Sequence, residues 1–113
     1  MNAPSLLTVA DRVELLVNAL HPDTDHHPVC KLFLADGAAT WLLTECDPDD
    51  PDRLFGLCDL GLGFPELGWC SLGELTTLRG QLGLPIERDQ TFVPDKPLSA
   101  YAEEARAAGR IMA

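Results

Sequence analysis

Apolar side chains recur every three to four residues between positions 8 and 20, which is the spacing of an amphipathic helix. The predicted buried face comprises Val9, Val13, Leu16, Val17 and Leu20. Thr8 can cap this helix, because Asp11 stands three residues later and completes a capping-box-like pair. Pro22 ends the helix, and residues 21–28 are predicted to form a polar loop.

Three runs with the length and composition of strands come next. Residues 29–34 are followed by an Asp-Gly turn pair and then by residues 40–46, so these two runs predict a hairpin. Residues 53–60 form the third run. Glycines and a proline punctuate the following stretch, in which residues 69–70 allow a short fourth strand.

Two more helices are predicted in the last third of the chain. Ser71 has Glu74 three residues on, again a capping-box spacing, and a helix over 72–82 follows from it. Its buried face would comprise Leu72, Leu75, Leu78 and Leu82. The last helix is predicted over 98–108, with an inward face of Leu98, Tyr101, Ala102 and Ala105. The pattern leaves open whether residues 86–97 form a strand.

This order of elements predicts an α+β fold: a small antiparallel sheet of three to four strands with about three helices packed against one face. The sheet would occupy residues 29–70. The 113 residues are expected to form a single domain, 1–113, and 46% of them are hydrophobic. A chain of this size can bury a stable core without disulfides or metal.

The compartment is predicted from what the sequence lacks. No apolar run approaches the roughly 20 residues that cross a bilayer, and residues 1–5 lack the positive charge that opens a signal peptide. The four cysteines, at positions 30, 46, 58 and 70, form no closely spaced pair and are interpreted as small buried apolar residues. A cytoplasmic location is the expectation.

The charge is negative and unevenly distributed. The net charge is −10, which argues against nucleic acid or an anionic membrane as a direct partner. Residues 36–74 hold nine acidic residues against Arg53 alone, a net charge of −8. The expected partner is therefore a protein with a basic surface.

Four segments resemble a known family: PVCKLF at 28–33, ATWLLTECDPDDPD at 39–52, FGLCDLGLGFPELG at 55–68, and the tail at 83–106. Together they resemble the bacterial family called domain of unknown function 2958, over roughly residues 28–110. The resemblance implies an accessory protein carried by plasmids and integrative elements in the bacterial cytoplasm. It implies no reaction, ligand or catalytic residue. The helix at its N-terminal side lies outside the best match.

The densest acidic segment is predicted to be a loop, because two prolines alternate with Asp47, Asp49, Asp50 and Asp52. It is interpreted either as a solvated turn or as a surface for a basic partner. A calcium loop is disfavoured, because prolines take two positions and no glycine or closing glutamate follows in the required place.

Asp59 and Glu66 flank a glycine-rich turn, and two readings stay open for them. A pair of carboxylates can perform acid–base chemistry, as in glycoside hydrolases. Alternatively, a partly buried Asp59 would accept backbone N–H bonds across the turn. The glycines do not match a phosphate-binding pattern.

Histidines 21, 26 and 27 precede Cys30 and raise the question of zinc or of a thiol nucleophile. A zinc site would need a second short-spaced pair, and a nucleophile would need a third, orienting residue. Neither is marked in the sequence. No metal and no cofactor is predicted.

The large aromatics near the acidic segment, Trp41, Phe64 and Trp69, are either core residues or, where exposed, an apolar anchor rimmed by carboxylates. The leading hypothesis is a non-catalytic protein-interaction domain, in its sharpest form a DNA mimic or anti-defence protein of a mobile element. The residues assigned to partner binding are Glu45, Asp47, Asp49, Asp50, Asp52, Asp59, Phe64, Glu66 and Trp69. The alternative is a small-molecule-binding or hydrolytic domain that uses Asp59 and Glu66. A homodimer paired through an edge strand at 29–34 is a third possibility.

Overall fold

The computed structural model describes residues 6–113. Residues 1–5, which bear on the signal-peptide expectation, lie outside it. The elements in chain order are α1 (Val9–Ala19), β1 (Cys30–Leu34), β2 (Thr40–Cys46), β3 (Arg53–Asp59), β4 (Glu66–Ser71), α2 (Leu72–Thr77), β5 (Ile86–Arg88) and α3 (Leu98–Ala108). The strands form one antiparallel sheet in the order β4-β3-β2-β1-β5. The α+β class is confirmed.

The sheet has five strands rather than three to four, because β5 pairs with β1. A three-residue strand is too short to show a period of its own, and it is extended because β1 offers it a ladder of partners. It resolves the segment left open at 86–97, whose first three residues are a strand. With β2 on one side and β5 on the other, β1 is internal, so it provides no free edge for a dimer.

Helices cover both faces of the sheet, which corrects the expectation of one covered face. Side chains of β2 point alternately to the two faces, and Trp41, Leu42 and Leu43 are all buried. Leu43 belongs to a core with Leu15 of α1, on the face that α2 also covers. Leu42 packs on the opposite face in a second core beneath α3. A continuous apolar run in a central strand is what two covered faces require.

Helix α1 packs against the sheet with a different face from the one predicted. The capping box at its start is confirmed, since Thr8 and Asp11 exchange side-chain-to-backbone hydrogen bonds. All five residues of the predicted buried face are exposed, however, and Val9 is 78% exposed. Leu15 enters the core instead. Asp11 makes a two-pronged ion pair with Arg88 of β5, so polar contacts as well as apolar burial select the inner face.

A pair of matched truncations tests this orientation. Leu15→Ala is expected to lower the free energy of unfolding by about 2–5 kcal/mol, since it empties a fully buried site. Val13→Ala, on the exposed face of the same helix, is expected to change it by no more than about 0.5 kcal/mol. Urea denaturation measures both. Equal losses, or a larger loss for Val13→Ala, would contradict the orientation.

Helix α2 is shorter than predicted and ends at Thr77 rather than near position 82. Leu75 is buried as expected, but Leu78 and Leu82 are exposed, because the chain leaves the helix at Leu78 with extended backbone angles. The turn that follows is tied to the β1–β2 connection, where the carboxylate of Asp36 accepts the Leu82 N–H at 2.6 Å.

Helix α3 agrees with its prediction in bounds and in buried face. Its inward side comprises Leu98, Tyr101, Ala102 and Ala105. It ends at Gly109, whose φ of 77° belongs to the left-handed region that favours glycine. Among residues 6–113, no helix is long and apolar enough to cross a membrane.

Candidate functional site

The acidic loop that joins β2 to β3 is held together by its own carboxylates. Asp47 accepts the Asp49 N–H at 2.9 Å, and Asp50 accepts the Asp52 N–H at 3.1 Å. Asp47 also lies 3.6 Å from the guanidinium of Arg53. These contacts are ordinary aspartate turn chemistry. Part of the negative charge is therefore used within the loop.

Asp52 clips this loop to the beginning of α2. Its two carboxylate oxygens accept the Gly73 N–H at 2.7 Å and the Ser71 hydroxyl at 2.5 Å. The same two hydrogen bonds hold the pKa of Asp52 below its usual range. No local pattern predicts this contact, because Ser71 and Gly73 lie 19 and 21 residues from Asp52. Asp49 and Asp50 are exposed. Of the four aspartates in the loop, their carboxylates make the fewest intramolecular contacts, so they are the ones most available to a partner.

Asp59 does not belong to an exposed acidic face, although it was assigned to partner binding. It is 1% exposed, and its two oxygens accept the N–H groups of Gly61 at 2.8 Å and of Ile111 at 2.9 Å. The first of these bonds crosses the glycine turn, as the structural reading of the sequence proposed. The second joins the end of β3 to the C-terminal segment.

Asp59 and Glu66 point to opposite faces of the sheet. Cys58 is the register partner of Glu66, so these two share a face, and Asp59 is the next residue along the strand. A cavity of about 530 Å³ lies beside Asp59, with Lys31 and Arg110 in its lining, but Glu66 does not line it. The acid–base pair of the alternative hypothesis is therefore not assembled in one site.

The β3–β4 hairpin exposes large apolar side chains. Three of them lie in the turn and two on β4, and we call this set the hairpin surface. It comprises Leu60, Leu62, Phe64, Leu67 and Trp69. Phe64 is 81% exposed and Trp69 46%, whereas Trp41 is buried in the core. Five large apolar side chains exposed along a single hairpin favour an interaction surface.

Trp69 is presented at this surface by its neighbours on β3. The ring of Phe55 meets it edge-on with centroids 5.2 Å apart, and the guanidinium of Arg53 lies 4.4 Å above its centroid. Glu45 is the register partner of Phe55, which is in turn the partner of Trp69, so the three form one row across the sheet. The carboxylate of Glu45 thus lies on the same face as the tryptophan.

One group of predicted site residues is therefore brought together. Glu45 lies on the same face as Trp69, and Asp47 lies beside the Arg53 guanidinium that covers the Trp69 ring. Phe64 and Glu66 are only neighbours in the sequence, in the turn and at the start of β4. Sequence reasoning missed Arg53, Phe55 and the three leucines of the hairpin surface. The available signal was the leucines set among the glycines of a turn, where apolar residues have no core to enter.

The histidine and cysteine hypotheses gain no support from the geometry. Within residues 6–113, no three histidine, cysteine or acidic side chains are grouped so that they could hold a metal ion. The four thiols are free. Burial raises the pKa of Cys30 to about 12, so this thiol stays protonated and is a poor nucleophile.

A family model described as "Protein of unknown function (DUF2958)" matches residues 6–112. The match begins well before position 28 and so includes α1, which the sequence resemblance had left outside. Searches of curated proteins and of solved structures find no match to this chain.

Proposed function

We propose, from the premise that this chain belongs to the family described as protein of unknown function (DUF2958), that it is a non-catalytic domain that binds a protein partner with a basic surface. The observation that carries the proposal is the hairpin surface. Phe64 and Trp69 are large and exposed, as the aromatic anchors of protein interfaces are, and Trp69 is held on β4 by contacts with Phe55 and Arg53. Burying a side chain such as Phe64 against a partner would contribute roughly 1.5–3 kcal/mol.

The charge around the hairpin surface supports the choice of partner. Glu45 shares the face of Trp69, and Asp49 and Asp50 lie exposed in the loop at the Trp69 end of the β3–β4 pair. Glu66 lies at the turn end of β4, on the opposite face. A concentrated negative potential accelerates association with a basic surface and repels acidic competitors. It also disfavours direct contact with nucleic acid or with an anionic membrane.

The sharpest form of the proposal is a DNA mimic. Carboxylates along the acidic loop and β4 would replace phosphates in the groove of a nucleic-acid-handling host protein. The cytoplasmic, mobile-element setting implied by the sequence resemblance fits such an accessory or anti-defence role, by analogy and not by residue chemistry.

Recovery of partners from a host lysate tests the proposal. Phe64→Ser is expected to weaken binding of the recovered protein by about 30-fold, the equivalent of a hot-spot loss of about 2 kcal/mol. The matched control is Leu82→Ser, because Leu82 is equally exposed, at 81%, and lies outside the hairpin surface. The control is expected to bind as the wild type does.

The contribution of charge is tested with Asp49→Asn combined with Asp50→Asn, which leaves the bonds of the Asp52 carboxylate to Ser71 and Gly73 in place. An asparagine at position 50 keeps the Oδ1 atom that accepts the Asp52 N–H. We expect weaker binding and a shallower dependence on salt than in the wild type. Glu87→Gln combined with Glu103→Gln removes the same charge outside the acidic segment and serves as the control. Affinity that is equal at low and high salt, or indifferent to Phe64→Ser, would rule the proposal out.

One observation favours a second candidate, small-molecule binding. The 530 Å³ cavity beside Asp59 has the volume of a ligand site and two basic side chains, Lys31 and Arg110, in its lining. If no partner depends on the hairpin surface, a thermal-shift screen with small anions becomes the next experiment. Arg110→Gln is the variant expected to abolish any shift.

A further inference from the structure

Strand β4 is the outer strand of the sheet, with β3 on one side only. The Leu72 N–H donates to the Asp52 carbonyl at 2.8 Å, and this bond sets the alternation of the ladder. In an antiparallel pair, every second residue directs its N–H and C=O at the neighbouring strand. Gly68 and Cys70 therefore bond to β3. Leu67, Trp69 and Ser71 direct their backbone groups away from the sheet.

This edge has few of the features that proteins use to block strand pairing. Residues 66–71 include no proline and no lysine, and the β3–β4 register runs without a bulge. The one charged side chain that could discourage pairing is Glu66, at the first position of β4. An extended chain can therefore approach the outward backbone groups of β4.

The two faces beside the edge differ in what they would accept. Leu67 and Trp69 are on one face and are partly exposed, so they offer apolar contact to side chains opposite them. On the other face, a Cβ atom built at Gly68 would meet nothing within 4 Å, so a side chain of an added strand has free space there. The same face carries the carboxylate of Glu66, which suits a basic residue.

From these features we infer that β4 takes up an extended segment of the partner as a sixth strand. The segment alternates apolar residues, which face Leu67 and Trp69, with residues that include lysine or arginine, which face Glu66. This inference rests on the proposed function and specifies how the partner binds. A second copy of this chain is the poorer occupant, because each copy carries a net charge of −10 and the two would repel each other.

Amide hydrogen exchange measured by NMR tests the edge itself. In the free protein, the amides of Leu67 and Trp69 are expected to exchange about 100-fold or more faster than those of Gly68 and Cys70, because only the latter pair with β3. Addition of a bound peptide is expected to slow the first two selectively. Equal protection of all four amides in the free protein, or no slowing of Leu67 and Trp69 when the peptide is added, would overturn the inference.

The peptides come from selection of random ten-residue peptides against the intact protein. We expect enriched sequences in which apolar and basic residues alternate. Leu67→Pro is expected to weaken the binding of these peptides about tenfold or more. The proline removes the N–H that points away from the sheet and leaves the hydrogen bonds between β4 and β3 intact. Leu67→Thr is the control that keeps this N–H. Methylating the backbone nitrogens of every second peptide residue gives the same test without altering the protein. Methylation of the residues whose N–H groups face β4 is expected to abolish binding, and methylation of the residues between them is expected to leave it unchanged.

The outcomes separate this inference from the proposed function. Strand addition would be overturned by peptides whose affinity for Leu67→Pro equals that for Leu67→Thr and which tolerate methylation at either set of alternate residues. The absence of any enriched peptide would also overturn it. The proposed function would then still stand on the dependence of partner recovery on Phe64. Protection of Leu67 and Trp69 with rising protein concentration, together with dimers in sedimentation, would show that a second copy occupies the edge and would overturn the assignment to a partner.

Discussion

Replacing Asp59 with alanine is expected to lower the free energy of unfolding by about 3–5 kcal/mol. Its carboxylate is buried and is the acceptor for the backbone N–H groups of Gly61 and Ile111. The substitution leaves both donors without an acceptor, and each unsatisfied buried group costs about 1–3 kcal/mol. Urea denaturation monitored by tryptophan fluorescence provides the measurement.

Two companion variants separate this role from a catalytic one. Asp59→Asn keeps one acceptor oxygen and is expected to cost about half as much as the alanine variant. Glu66→Ala removes an exposed carboxylate and is expected to stay within about 0.5 kcal/mol of the wild type. Similar stabilities for Asp59→Ala and Glu66→Ala would contradict the structural assignment and return Asp59 to the list of candidate functional groups.

Removing either member of the Asp11–Arg88 ion pair is expected to destabilise the protein by about 2–4 kcal/mol. The Asp11 side chain is 9% exposed and accepts two guanidinium hydrogen bonds, one of them at 3.0 Å, together with the Thr8 N–H. A buried charge that loses its partner cannot be resolvated at that site. Arg88→Lys is not expected to restore the loss, because an ammonium group cannot reproduce the two-pronged geometry.

A double-mutant cycle with Asp11→Ala and Arg88→Ala measures the pair directly. The coupling free energy is expected to exceed about 1.5 kcal/mol. The more exposed pair of Lys96 and Glu104 serves as the comparison, and its coupling is expected to be below about 1 kcal/mol. If the effects of Asp11→Ala and Arg88→Ala on the free energy of unfolding are additive, α1 is not held to β5 through this contact.

From the sequence, the aromatic residues of the candidate site were predicted as binding residues only if they were exposed, and their exposure was left open. Phe64 and Trp69 could be core residues or anchors. The glycine-rich turn is a local sign that Phe64 is exposed, but nothing in the neighbourhood of Trp69 distinguishes the two roles. The exposure of Trp69 is decided by what covers the sheet: α3 packs on Leu42 and Leu57, and within residues 6–113 no strand lies beyond β4. Burial depends on such distant elements, so a local pattern cannot establish it.

The sequence by itself determined the features that depend on neighbouring residues. The capping box of Thr8 and Asp11, the buried face of α3, and the loop character of residues 47–52 all follow from contacts within a few positions. Local propensity and turn chemistry act over that range, so they can be read directly from the order of residues.

Only the tertiary structure decided which way α1 faces, that β5 exists, and that Asp59 is buried. Arg88 lies 77 residues from Asp11, and Ile111 lies 52 residues from Asp59. The apolar period of α1 correctly predicted a helix, but its five valines and leucines are on the outside. The free energy of packing and of buried hydrogen bonds is gained between distant segments, and where it is large it overrides the preference of any single helix face.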